Sequence, residues 1–209
     1  MRKEARAYVS RNLFPVLTLI AYLALALYNS FSMLYVNFFF FAVLIAYFAY
    51  RGEYSFRALF DVKSGAFWKN VGISLLFIVG AFLLMTGVQS LFPQLELGEI
   101  KIPAHTPFEM VLFGVQTIIF PPLAEEMFYR KYLISFHGRG IMWMSALFSS
   151  ILFAATHALS PFGIATYTIL GMGFACAYIM HKNIGANMMA HFLTNLIANG
   201  IAIALYFLH

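Results

Sequence analysis

Val71–Phe92 reads VGISLLFIVGAFLLMTGVQSLF, a run of 22 residues without a single charge. Wound as an α-helix it extends about 33 Å, enough to cross the hydrocarbon of a bilayer. Six further apolar stretches flank it: Leu13–Tyr28, Ser32–Tyr50, Pro107–Phe136, Met142–Leu159, Phe162–His181 and Ala186–Leu208. Hydrophobic residues make up 62% of the chain and charged residues 10%, against about 25% charged in a soluble domain. A surface so apolar belongs in lipid. The fold class expected is all-α: a polytopic transmembrane bundle of about seven spanning helices in a single domain, 1–209, located in the cell membrane.

Charge gives the orientation. Met1–Arg11 carries Arg2, Lys3, Arg6 and Arg11, and the segment Arg51–Asn70 carries Arg51, Arg57, Lys63 and Lys69. Arg130, Lys131, Arg139 and Lys182 follow near later turns on the same side. The alternate connections, Asn29–Phe31 and Ala158–Pro161, have no charge, and Pro93–Thr106 has Lys101 against Glu96 and Glu99. The positive-inside rule then places the N-terminus in the cytoplasm. The basic start precedes no small-residue cleavage site and reads as part of a retained first helix. The net charge of +5 comes without a basic run or nucleic-acid motif, so no nucleic-acid partner is expected. The single cysteine, Cys176, excludes an intramolecular disulfide and reads as a small residue at a helix contact.

Ionisable side chains inside apolar spans are costly and mark function. Glu125 and Glu126 lie in the fourth stretch, while Glu4, Glu53, Asp61, Glu96, Glu99 and Glu109 lie at the N-terminus, in loops or near span ends. His157 and His191 lie in apolar surroundings; His105, His137, His181 and His209 read as solvated. Residues four apart share a helix face. Arg130 therefore pairs with Glu126, leaving Glu125 without an in-helix cation, and Asn195 lies one turn from His191. Pro121-Pro122 interrupts the helix just before the glutamates. A carboxylate with a histidine can polarise a water, and a histidine with an amide can hold an oxyanion; together they suffice for amide hydrolysis. Each pair also has a structural reading: a buried ion-pair network, or a hydrogen bond joining helices.

Glu125-Glu126-x-x-x-Arg130, Phe153-x-x-x-His157 and His191-x-x-x-Asn195, in this order, resemble the three motifs of the CAAX protease and bacteriocin-processing (Abi) family, whose type 2 members are CAAX prenyl proteases. The resemblance implies an intramembrane endopeptidase with its core at about 107–208. It implies that Glu125 and His157 activate water, that His191 and Asn195 form the oxyanion hole, and that Glu126 and Arg130 support them. It implies a peptide or protein substrate, prenylated or membrane-embedded, and no cofactor. Two alternatives stand beside it. One is a zinc enzyme using Glu125, His157 and His191, although no H-E-x-x-H is present. The other is a non-catalytic immunity or scaffold protein of the same family.

Depth poses a problem. Glu125 and His157 are symmetric about residue 141, as in an antiparallel hairpin, which sets both roughly 20 Å from its turn. His191 lies only a few residues past Lys182. A shared depth then requires the fourth and fifth helices to project beyond the membrane.

Overall fold

The computed structural model describes residues 2–28 and 31–208; His209 and the Asn29–Ser30 part of the uncharged first connection lie outside them. Eight helices account for most of the described chain: α1 (Arg2–Tyr28), α2 (Met33–Tyr50), the single turn α3 (Phe56–Leu59), α4 (Gly65–Leu91), α5 (Pro107–Tyr132), α6 (Arg139–Ala155), α7 (Pro161–His181) and α8 (Ile184–Leu208). The only β feature among the described residues is an isolated antiparallel bridge between Glu99 and Ala158. The protein is an all-helical membrane bundle.

Six of these helices are long and apolar enough to cross a membrane; α6 is shorter. The expected fifth span, Met142–Leu159, therefore needs correction, and the reason lies in the connection after α4. Ile100 N–H donates to the His157 carbonyl (2.9 Å) and Leu159 N–H to the Gly98 carbonyl (2.9 Å). This strap takes the backbone groups that would continue the helix, so α6 stops at Ala155. Ser160-Pro161 does not end that helix. It begins α7: the Ser160 hydroxyl accepts from Gly163 N–H at 2.9 Å, and proline occupies the first turn, where an N–H is dispensable.

Small residues set the contacts of α7. A Cβ on Gly171 would come 2.9 Å from the Ser150 Cβ of α6, and one on Gly173 would come 2.6 Å from the Ala81 Cβ of α4. Helices approach this closely only where the side chain is missing. Cys176, on the same helix, is half-buried.

The basic residues gather at one end of the bundle. Arg11 donates to the Tyr132 carbonyl (2.8 Å), Tyr8 to the Leu133 carbonyl (2.7 Å), and Lys131 pairs with Glu53 at 2.6 Å. Lys182 lies 4.9 Å above the Phe136 ring. Burial alone would raise the Glu53 carboxyl, but hydrogen bonds from Lys131 and Tyr132 outweigh it and hold the group below its ordinary range.

The depth problem resolves differently from the expectation. α5 stops at Tyr132, six residues after Glu126, and α8 starts at Ile184, seven before His191. Each side chain therefore sits about 10 Å from its helix end. α6 reaches further: Ser135 N–H donates to the Ser145 hydroxyl (2.9 Å), so the turns of α6 before Ser145 run past the end of α5.

Candidate active site

Two π-helical segments, Val115–Ile119 and Glu126–Tyr132, interrupt α5. The first follows from Pro121-Pro122. The Thr117 carbonyl would be bonded by residue 121 in an α-helix or by residue 122 in a π-turn, and neither proline has an N–H. Asn195 of α8 supplies the missing donor: its Nδ2 lies 2.9 Å from the Thr117 carbonyl oxygen. The prolines thus do not simply kink the helix; they create a site for Asn195. The amide keeps a second hydrogen after making this bond.

Glu125, His157, His191 and Asn195 all line one cavity of about 650 Å³, together with Phe153 and Tyr167. The sequence-predicted quartet is thus brought together. Glu125 is buried, and its Oε2 has no hydrogen-bond partner among the described residues. His191 Nε2 stands 3.9 Å from that oxygen. His157 Nδ1 lies 2.9 Å from the Phe153 carbonyl oxygen. A carbonyl only accepts, so Nδ1 carries the hydrogen and Nε2 keeps a lone pair. The ring packs between Phe153, at 4.3 Å, and Tyr167, at 5.2 Å. Tyr167 in turn donates to Glu99 Oε1 at 2.6 Å, which ties the α4–α5 strap to the histidine.

Glu126 enters a second network, in which the Arg130 nitrogens have no hydrogen-bond partner among the described residues. Its Oε1 accepts from His191 Nδ1 (3.0 Å) and its Oε2 from Asn187 Nδ2 (3.0 Å). Arg130 Nε stands at 3.7 Å, an ion pair longer than a hydrogen bond. The π geometry of Glu126–Tyr132 adds a residue per turn, so four residues no longer close one turn and the expected direct pairing loosens. Arg130 is instead enclosed by rings, with its guanidinium 5.0 Å from Phe153, 5.2 Å from Phe174 and 5.7 Å from Tyr129. Such contacts favour a desolvated cation.

The network extends beyond the expected residues. Asn187 also donates to the Phe174 carbonyl (3.0 Å) and accepts from the Ser74 hydroxyl (2.8 Å). Ser74 lies 2.8 Å from His181 Nε2, whose Nδ1 accepts from Asn183 N–H at 3.0 Å. His181 is therefore a member of this network and not a plainly solvated residue. The sequence did hold a signal for Asn187: it precedes His191 by four residues as Asn195 follows it by four, marking one helix face. Ser74, on a distant helix, left none. Gln116, also on the cavity wall and wholly buried, has no partner for either amide atom among the described residues.

Among the described residues, no three His, Cys, Asp or Glu side chains gather as a metal-ligand group. His191 turns Nδ1 to Glu126, and its Nε2 stands 3.9 Å from the Glu125 oxygen.

Residues 107–197 match the model of a protein family described as Type II CAAX prenyl endopeptidase Rce1-like. Over this segment the chain is similar to the Rce1-like family. No curated protein and no solved structure matches it significantly. The Rce1-like segment begins where α5 begins and reaches past Asn195, so it holds every residue of the three motifs. The Rce1-like family is one of proteases, and the kind of function that follows is peptide-bond hydrolysis at a membrane, on peptide or protein substrates.

Proposed function

We propose that this protein is a cell-membrane endopeptidase in which Glu125 and His157 activate a water molecule, while His191 and Asn195 receive the charge that develops on the carbonyl oxygen. The observation that carries this reading is the bare Oε2 of Glu125: a buried carboxylate oxygen, without a protein donor, on the wall of a cavity shared with both histidines and the asparagine. A carboxyl oxygen left unsatisfied in an apolar setting costs free energy unless something else meets it, and a substrate water does. The His157 Nε2 lone pair is available to the same water. The second amide hydrogen of Asn195 is available to an oxyanion.

Glu126, Arg130 and Asn187 support the site without entering it. The catalysis needs no metal in this reading, and the basic end of the bundle faces the cytoplasm. Substrates are peptides or proteins within reach of the membrane, including prenylated ones.

The experiment is a panel of internally quenched peptides, prenylated and not, offered to the purified protein in nanodiscs with and without chelator. Cleavage that resists the chelator and disappears in Glu125→Ala is the expected result. Cleavage lost to the chelator and restored by zinc would overturn the metal-free mechanism. Biological activity that survives in a folded Glu125→Gln protein would instead favour the non-catalytic immunity or scaffold role.

A further inference from the structure

The network behind His191 fixes which of its nitrogens carries hydrogen. Asn183 N–H donates to His181 Nδ1, so His181 offers Nε2–H to the Ser74 oxygen. Ser74 passes its own hydrogen to Asn187 Oδ1, and the Asn187 amide donates to Glu126 Oε2. Every donor in this chain points toward Glu126. With a guanidinium 3.7 Å away and these donors arranged around it, Glu126 is a carboxylate and can only accept. His191 Nδ1 must then carry a hydrogen at the 3.0 Å contact, and in the neutral ring Nε2 presents a lone pair toward Glu125 Oε2 at 3.9 Å. A neutral His191 held in this way has no hydrogen to give an oxyanion. It is set to take one.

We propose that His191 is the proton carrier of the reaction: Nε2 takes, by way of Glu125, the proton that the attacking water releases, and delivers it to the leaving nitrogen. This rests on the hydrolase reading and sharpens it. The water oxygen bonds to the carbonyl carbon as one of its protons passes to the Glu125 carboxylate, and the C=O π pair moves onto oxygen. Glu125 hands the proton to His191 Nε2, giving an imidazolium whose Nδ1–H remains on the Glu126 carboxylate. The oxyanion pair then re-forms C=O, the C–N bond breaks, and the nitrogen takes the Nε2 proton. One water is consumed, a carboxylic acid and an amine leave, and both side chains return to their starting forms. The Nε2–H that faces the oxyanion exists only while the tetrahedral species exists. Its contribution is thus confined to the transition states and the intermediate, where binding accelerates the reaction. The arrangement of carboxylate, imidazole and reacting group is that of a His oriented by a buried acid, reached here without a nucleophilic serine.

The test is His191→Gln in nanodiscs, assayed on two substrates: a quenched peptide that the wild type cleaves, and the 4-nitrophenyl ester of the same acyl half. The glutamine side chain retains an N–H donor but cannot carry a proton, and nitrophenolate leaves unprotonated. Peptide cleavage should fall about 10²–10⁴-fold, and ester cleavage by less than about tenfold, a difference that a merely structural role would not produce. Equal losses on both substrates would overturn the proposal while leaving the hydrolase reading intact. A second measurement needs no variant. Across a series of peptide anilides, wild-type kcat should depend only weakly on the basicity of the leaving amine, and a steep fall toward the more basic amines would overturn the proposal. A wild type that cleaves no peptide overturns the hydrolase reading, and this proposal with it.

Discussion

Glu125 and Glu126 are neighbours in sequence, yet the regions they face differ as much as any two in the molecule. Behind Glu126 both carboxylate oxygens are bonded, and one of the donors, Asn187, is itself held through Ser74 out to His181. In front of Glu125 lies a cavity, and one oxygen meets no partner among the described residues. A buried polar group that is fully bonded rigidifies the structure around it, whereas one left bare is a cost that the fold bears for a reason outside folding. In the proposed mechanism the two adjacent acids thus divide the work: one holds the architecture, the other is available for chemistry.

The largest effect should come from the bare side. Glu125→Gln is expected to reduce peptide cleavage by at least about 10³-fold, with an unfolding temperature equal to or above that of the wild type, since no ion pair in hydrogen-bonding range is broken. A strongly lowered melting temperature would erase the distinction between the regions. On the bonded side, Arg130→Met leaves the Glu126 carboxylate buried without its cation and should cost about 3–5 kcal/mol, most of which returns in the Glu126→Gln/Arg130→Met double variant. Chemical denaturation in mild detergent checks both. Asn187→Ala removes the donor to Glu126 and to the Phe174 carbonyl, and should cost about 1–3 kcal/mol. It should also lower kcat while leaving KM near its wild-type value, because Asn187 orients Glu126 and does not line the cavity.

The smallest effect lies at the basic end, outside both regions. The Glu53 carboxyl is held below its ordinary value by Lys131 and Tyr132 after burial has been outweighed. Its contribution is therefore present above the unfolded-state pKa and is lost as pH falls through the lower folded value. An acid titration of stability should show Glu53→Gln weakening the protein at neutral pH, by under about 1 kcal/mol for so partly exposed a pair, and converging with the wild type in acid.

Most of the bundle was legible in the sequence because lipid enforces long uncharged runs, and runs such as Val71–Phe92 allow one reading. The quartet was legible because ionisable residues are rare in those runs and Asn195 lies one helical turn from His191. What escaped was whatever depends on a partner far along the chain. The strap at Gly98–Ile100 shortens α6 by binding the backbone of residues 157–159, a contact no local pattern announces. The looser Glu126–Arg130 pair depends on a π-turn, which four-residue spacing assumes away. Ser74 reads as an ordinary hydroxyl in a lipid-facing helix until Asn187 and His181 are brought beside it.

The bond from Asn195 to the Thr117 carbonyl has a consequence for the birth of the protein. Helices enter the membrane in order of synthesis, and α5 precedes α8 by the whole length of two other helices. Until α8 arrives, the carbonyl above Pro121-Pro122 has no helical donor and sits as a polar scar among acyl chains. α8 heals that scar and, in the same movement, delivers His191 and Asn195 to the cavity. In the proposed mechanism a chain without α8 lacks both residues, so the activity would be acquired only once α8 has entered the membrane.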